Sequence, residues 1–257
     1  MSDRPFQGRQ VLVTGSSRGI GRATAELFAQ RGADLLIHYR RDEAAALETR
    51  QQVRAAGAAA ALHCADLRDE AQIDAMMERI ATDPGRLDVL VVNAASTAFK
   101  PLLETRTQHA EMTFQTSYFA LLELVRQAVP LMRDGGHIIT VSGFDTARVL
   151  AGHGLLGAAK AALETTTRYL AVELAPRGIN VNCVVPGFVA TASAQLWADR
   201  NEPGGYAAAA AEWSARTPRG RVGTAEDIAR VICMLCSADA RWITGQVITA
   251  DGGLTLR

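Results

Sequence analysis

The sequence predicts an α/β fold with one parallel, doubly wound sheet of seven strands and helices on both faces. Three observations carry the prediction. Short β-branched runs alternate with longer segments of helical period from the first residues to about Val185, the pattern of repeated βα units. The first of these strands runs directly into a glycine-rich turn that opens a helix. No internal repeat breaks the rhythm, so the sheet reads as continuous and residues 1–257 as one domain.

The elements follow in order. Apolar runs rich in Val, Leu and Ile place strands at 10–14, 34–39, 58–64, 87–93, 137–142 and 180–185, with a seventh at 247–249. Between them, apolar residues at helical spacing place helices at 20–30, 42–56, 70–81, 107–132 and 155–176, several ended by Gly or Pro. Asp42 is placed to cap the second of these helices. Cys233 and Cys236 form a Cys-x-x-Cys, but within Ile-Ala-Arg-Val-Ile-Cys-Met-Leu-Cys they read as the buried face of a helix. Residues 191–221 depart from the rhythm. Rich in Ala, Gly and charge and carrying Trp197 and Trp213, this stretch reads as a helical flap over the sheet, a common form of substrate lid.

Composition excludes several classes. With 48% hydrophobic and 21% charged residues the chain has ample apolar material for a core. Lys plus Arg equals Asp plus Glu at 27 each, so no global field draws nucleic acid or an anionic membrane, and neither is expected as a partner. The polar stretch Met1 to Gly8 does not resemble a signal peptide, and nothing approaches roughly eighteen uninterrupted strongly apolar residues. A cytoplasmic protein is the expectation. Four scattered cysteines make no disulfide framework, and five histidines in separate elements make no metal site.

The turn Val11-Leu-Val-Thr-Gly-Ser-Ser-Arg-Gly-Ile-Gly21 offers backbone N–H groups at a helix N-terminus, which is how Rossmann-type folds hold a pyrophosphate. Gly15, Ser16, Ser17, Arg18, Gly19, Ile20 and Gly21 are therefore candidate dinucleotide contacts. After the second strand comes Tyr39-Arg40-Arg41, basic where an acidic residue would favour the ribose diol of NAD. With Arg18 these arginines suit the 2′-phosphate of NADP(H).

The Gly-x-x-x-Gly-x-Gly spacing resembles the short-chain dehydrogenase/reductase superfamily, and the resemblance covers nearly the whole chain. Ala65-Asp66-Leu67 resembles its adenine contact, Asn93-Ala94-Ala95 its Asn-Asn-Ala-Gly element with Val92 in place of the first Asn, and Pro186-Gly187-Phe-Val189-Ala-Thr191 the loop that holds the nicotinamide. It also implies a homotetramer or homodimer assembled through the helices at 107–132 and 155–176. Lys160 matches the lysine that binds the nicotinamide ribose and lowers the pKa of a tyrosine four residues earlier, but that position is Leu156. In enoyl-thioester reductases of the superfamily the tyrosine lies seven residues before the lysine, and His153 stands there, a group able to carry a proton near neutral pH. The usual serine at the end of the fifth strand maps onto Gly143, beside Ser142, and the usual relay asparagine onto Ser117.

The candidate catalytic set is therefore Lys160, His153, Ser142 and Ser117. The surroundings are similar to enoyl-acyl carrier protein and enoyl-CoA reductases, which implies NADPH-dependent reduction of an α,β-unsaturated thioester carried on acyl carrier protein or coenzyme A. Two alternatives stay open: a carbonyl reductase or alcohol dehydrogenase with a non-standard acid, and a non-redox or pseudo-enzyme member of a biosynthetic pathway that has lost the tyrosine.

Overall fold

Successive side chains of a strand point to opposite faces of its sheet, and in this chain both faces are apolar. The computed structural model describes residues 4–133 and 135–256; residues 1–3, 134 and 257 of the expected 1–257 domain lie outside the described residues. The chain runs β1 (Gln10–Val13), α1 (Gly19–Gln30), β2 (Asp34–Tyr39), α2 (Glu43–Ala55), β3 (Ala60–Cys64), α3 (Glu70–Thr82), β4 (Val89–Val92), α4 (Thr107–Phe114) and α5 (Ala120–Ala128). It continues through β5 (Gly136–Val141), α6 (Gly154–Leu174), β6 (Ile179–Pro186), α7 (Ala192–Asn201), α8 (Gly205–Arg216), α9 (Ala225–Leu235) and β7 (Val247–Ala250).

The strands form one parallel sheet in the order β3-β2-β1-β4-β5-β6-β7. Val11, Val13, Leu35, Ile37 and Val91 pack on one face against Phe28 of α1, Val53 of α2 and Ile228, Ile232 and Cys233 of α9. Leu12, Leu36, Leu90 and Ile138 pack on the other against Met76 and Ile80 of α3, Leu121 and Leu124 of α5, and Leu163 of α6. The expected seven-stranded, doubly wound sheet is thus what forms, and Cys233 and Cys236 are buried free thiols on the α9 face.

Because β1 lies between β2 and β4, the winding reverses there and opens a crevice at the carboxyl ends of the strands. Within 191–221 the chain forms two helices, α7 and α8. Trp197 and Ala209 are buried in the core, and Trp213 stacks on Phe188 with ring centroids 5.5 Å apart. The expected helix over 107–132 is interrupted. A wide π-turn at Gln115–Phe119 separates α4 from α5, and a 3-10 turn at Val129–Leu131, where Pro130 lacks an N–H, ends it. Among the described residues no helix is long and apolar enough to cross a membrane.

Candidate active site

The glycine turn combines left-handed backbone with one position, Gly21, that leaves no space for a side chain. Gly15 and Gly19 have φ of +66° and +55°, the left-handed region that glycine adopts without strain. A Cβ on Gly21 would lie 2.3 Å from the Gly15 carbonyl oxygen and 2.8 Å from Asn93 Nδ2. At the N-terminus of α1 no side chain caps the first turn, so its N–H groups and the positive end of its dipole suit a pyrophosphate. Thr191, itself the cap of α7, lies against Gly19 and brings the flap to the same place.

His38 holds the turn from beneath. Gly15 N–H donates to its Nδ1 at 2.9 Å, so the ring carries its proton on Nε2, which lies 3.0 Å from the Ala65 carbonyl. One buried imidazole thereby ties the ends of β1, β2 and β3 together. Burial pushes its pKa down to about 4, against which the bond to Ala65 acts, and the ring stays neutral. On the other flank Thr14 Oγ1 accepts from the N–H groups of Asn93 and Ala94 at 2.9 and 3.0 Å, while Asn93 Nδ2 donates to Thr14 O at 2.9 Å.

Arg18, Arg40 and Arg41 are exposed around the carboxyl ends of β1 and β2. Asp42 accepts from Ala45 N–H as the cap of α2 and lies 3.7 Å from Arg18. Asp66 is clamped by Arg68, whose bonds are the main reason its carboxyl titrates near 2. The side chains of Ser16, Tyr39, Ala65 and Leu67 are buried, with Ser16 Oγ bonded to Val13 O.

Beside the turn lies a cavity of about 210 Å³. Ile20, Asn93, Ala95, Lys160, Pro186, Gly187, Val189 and Thr191 line it together with Ser142 and His153, so Lys160, Ser142 and His153 of the expected catalytic set converge there with part of the expected cofactor set. Its remaining wall is mainly apolar, with Phe99, Leu150, Leu156, Phe188 and Trp197. Lys160 is buried and its Nζ donates to Val141 O at 2.5 Å. Burial lowers its pKa while the carboxylates of Asp145 and Glu164 oppose the shift. Ser142 Oγ donates to Glu164 Oε1 at 2.6 Å.

Ser117 stands apart. Its Oγ accepts from Ser96 N–H at 3.2 Å and reaches Ser96 O at 3.3 Å, so the π-turn points it at the loop after β4 and away from the cavity wall. Tyr118 Oη bonds Thr166 Oγ1, and Tyr206 stacks on Phe188. Among the described residues no group of three or more His, Cys, Asp or Glu is placed to hold a metal ion. Two residues that sequence reading did not single out matter here: His38, which read as an ordinary strand residue, and Asp145, whose Oδ2 lies 2.9 Å from His153 Nδ1.

A parallel sheet with a switch point beside its first strand, a glycine cradle there and an adjoining cavity with a buried lysine define a Rossmann-type, dinucleotide-binding class of protein. Residues 15–255 match the profile of the enoyl-(acyl carrier protein) reductase family. The chain belongs to that family, within the short-chain dehydrogenases/reductases. It is 34% identical to 1-cyclohexenylcarbonyl-CoA reductase of Streptomyces collinus over 96% of this chain and 88% of that one. A hydroxynaphthalene reductase of Aspergillus fumigatus is 32% identical over 94% and 90%. The crystal structure of the angucycline C-6 ketoreductase LanV with bound NADP superposes with a TM-score of 0.90 at 32% identity, covering 98% of both chains. These relatives are named as a cyclohexenylcarbonyl-CoA reductase, a hydroxynaphthalene reductase and a ketoreductase.

Proposed function

We propose that this protein is an NADPH-dependent reductase of a double bond conjugated to a thioester carbonyl, with coenzyme A or acyl carrier protein as the carrier. The observation that carries the reading is His153 in the wall of an otherwise mainly apolar cavity, with its Nε2 buried and without a hydrogen-bond partner. The cradle fits the cofactor: Gly15, Gly19 and Gly21 clear the space for a pyrophosphate, Arg18, Arg40 and Arg41 offer charge to a 2′-phosphate, and Lys160, Pro186 and Gly187 border the nicotinamide end. Bound there, NADPH supplies a hydride. The apolar wall excludes water and accepts the acyl group, and His153 delivers the proton that completes the reduction. Ser142 orients Glu164 beside Lys160, and Ser117 holds the loop after β4.

Carbonyl reduction is the second reading, since a proton donor at Nε2 would serve an alkoxide as well as an enolate, and the structural relative LanV is a ketoreductase. The deciding measurement is NADPH consumption against a panel of enoyl thioesters, ketoacyl thioesters and polycyclic ketones, with product masses recorded. Enoyl thioesters that gain two hydrogens at the double bond support the first reading. Turnover confined to ketones supports the second, and no consumption with any member favours a non-redox role. Exposed Tyr169 and Val172 on α6, with Phe119 at the end of the π-turn and Leu122 on α5, support assembly of the chain as a dimer or tetramer through these helices.

A further inference from the structure

Asp145 follows the end of β5 and belongs to no feature that the resemblance to the superfamily assigns. Its carboxylate is buried, with a side-chain exposure of 5%, and its Oδ2 lies 2.9 Å from His153 Nδ1. A buried carboxylate accepts rather than donates, so this contact puts a ring proton on Nδ1. The other ring nitrogen, Nε2, is buried without a hydrogen-bond partner, in a residue that lines the cavity. The ring is held on two sides, by Phe99 at 5.0 Å and by Trp197 edge-on at 5.9 Å. Trp197 Nε1 in turn donates to Ala151 O at 2.8 Å, which fixes the loop that carries His153.

Two glycines make this arrangement possible. A Cβ on Gly143 would lie 2.4 Å from Asp145 Oδ1, and a Cβ on Gly157 would lie 2.8 Å from the Asp145 carbonyl oxygen. Gly143 is the position at which the superfamily carries its serine. The missing hydroxyl therefore leaves no void, because a carboxylate occupies the space a side chain there would need.

We infer that Gly143, Asp145 and His153 form a replacement proton-delivery unit in which His153 is the donor and Asp145 the positioning residue that fixes its tautomer and balances its charge. The inference rests on the reductase reading for the chemistry it serves. In the step, hydride addition to the β-carbon leaves an enolate; its electron pair takes the proton from Nε2 of the imidazolium, the N–H bond breaks and a C–H bond forms at the α-carbon. The ring is left neutral with its remaining proton on Nδ1 against Asp145, and solvent restores the proton to Nε2. Lys160 and Glu164, both on α6, are charged groups near Asp145 and the cavity.

Nitrogen-15 resonance of the imidazole rings in the full chain tests the geometry directly. Neutral His153 is expected to carry its proton on Nδ1, and a wild-type ring protonated on Nε2 overturns the inference without any variant. Asp145→Asn is expected to release that tautomer preference and to lower kcat by about a hundredfold or more, with KM and cofactor affinity within a few-fold. Gly143→Ala keeps the carboxylate's charge but takes its place, and the same loss of tautomer and kcat is expected. Wild-type kcat in Asp145→Asn overturns the inference while leaving the reductase reading intact. If instead no enoyl thioester is reduced by the wild type, that reading falls, and the tautomer measurement still decides the dyad.

Discussion

At the scale of single residues, the cofactor cradle depends on atoms that are missing. Gly21→Ala would drive a methyl group against Gly15 O and Asn93 Nδ2; overpacking of this kind costs about 1–3 kcal/mol. The expected outcome is a roughly tenfold to hundredfold weaker Kd for NADPH, measured by nicotinamide fluorescence, with unchanged circular dichroism. Replacing Arg40 and Arg41 together by Ala should weaken NADPH by about tenfold or more, as loss of a charge-assisted bond does, and leave NADH unaffected. Equal losses for both cofactors would place the arginines elsewhere. The glycines, the arginines and Lys160 stand out in the sequence because each is a distinctive residue type at a set distance from a strand end. Asp145 does not. A carboxylate just after a strand reads as a loop residue, and only the space vacated at Gly143 and Gly157 reveals that it turns inward.

At the scale of elements, His38 is a splice between three strand ends. Its Nδ1 accepts from the turn after β1 and its Nε2 pairs with the chain after β3, so a side chain in β2 sets both loops that flank the adenine end of the crevice. His38→Ala would remove two buried bonds and leave a cavity, a loss of about 2–4 kcal/mol by the usual cost of such changes. Urea unfolding should show this as a lower midpoint, with cofactor affinity falling as well. Element type and order were readable from periodicity, and most strand and helix ends fell within two residues of the structure. The break between α4 and α5 escaped because its cause is tertiary: Ser117 is drawn to both backbone groups of Ser96, a partner far away in sequence.

At the scale of the whole molecule, buried neutral histidines link folding to pH. Burial holds the pKa of His38, and likewise of His137, down to about 4 from the ordinary 6.5. The folded state therefore binds fewer protons than the unfolded chain between those values, and stability falls as pH drops. It is full above about pH 6.5 and is lost progressively down to about pH 4. At about 1.4 kcal/mol per pH unit and per group, the two histidines together account for several kcal/mol. Thermal unfolding followed between pH 7.5 and pH 4 should show a falling Tm, on an approximate scale of several degrees per unit, and His137→Gln should flatten the slope. A Tm independent of pH across that window would contradict the burial of both rings in a single cooperative core.

The position of β1 between β2 and β4 also bears on how the protein comes into being. The turn that cradles the dinucleotide is written by residues 11–21, yet Thr14 is braced by Asn93 and Ala94, and β1 is flanked by Val89–Val92. During synthesis a ribosome must therefore release some eighty further residues before the phosphate site it made first can close, as non-local strand pairing requires. A nascent chain stalled short of β4 should carry every glycine of the cradle and bind no nucleotide, and competence should appear when the fourth strand clears the exit tunnel.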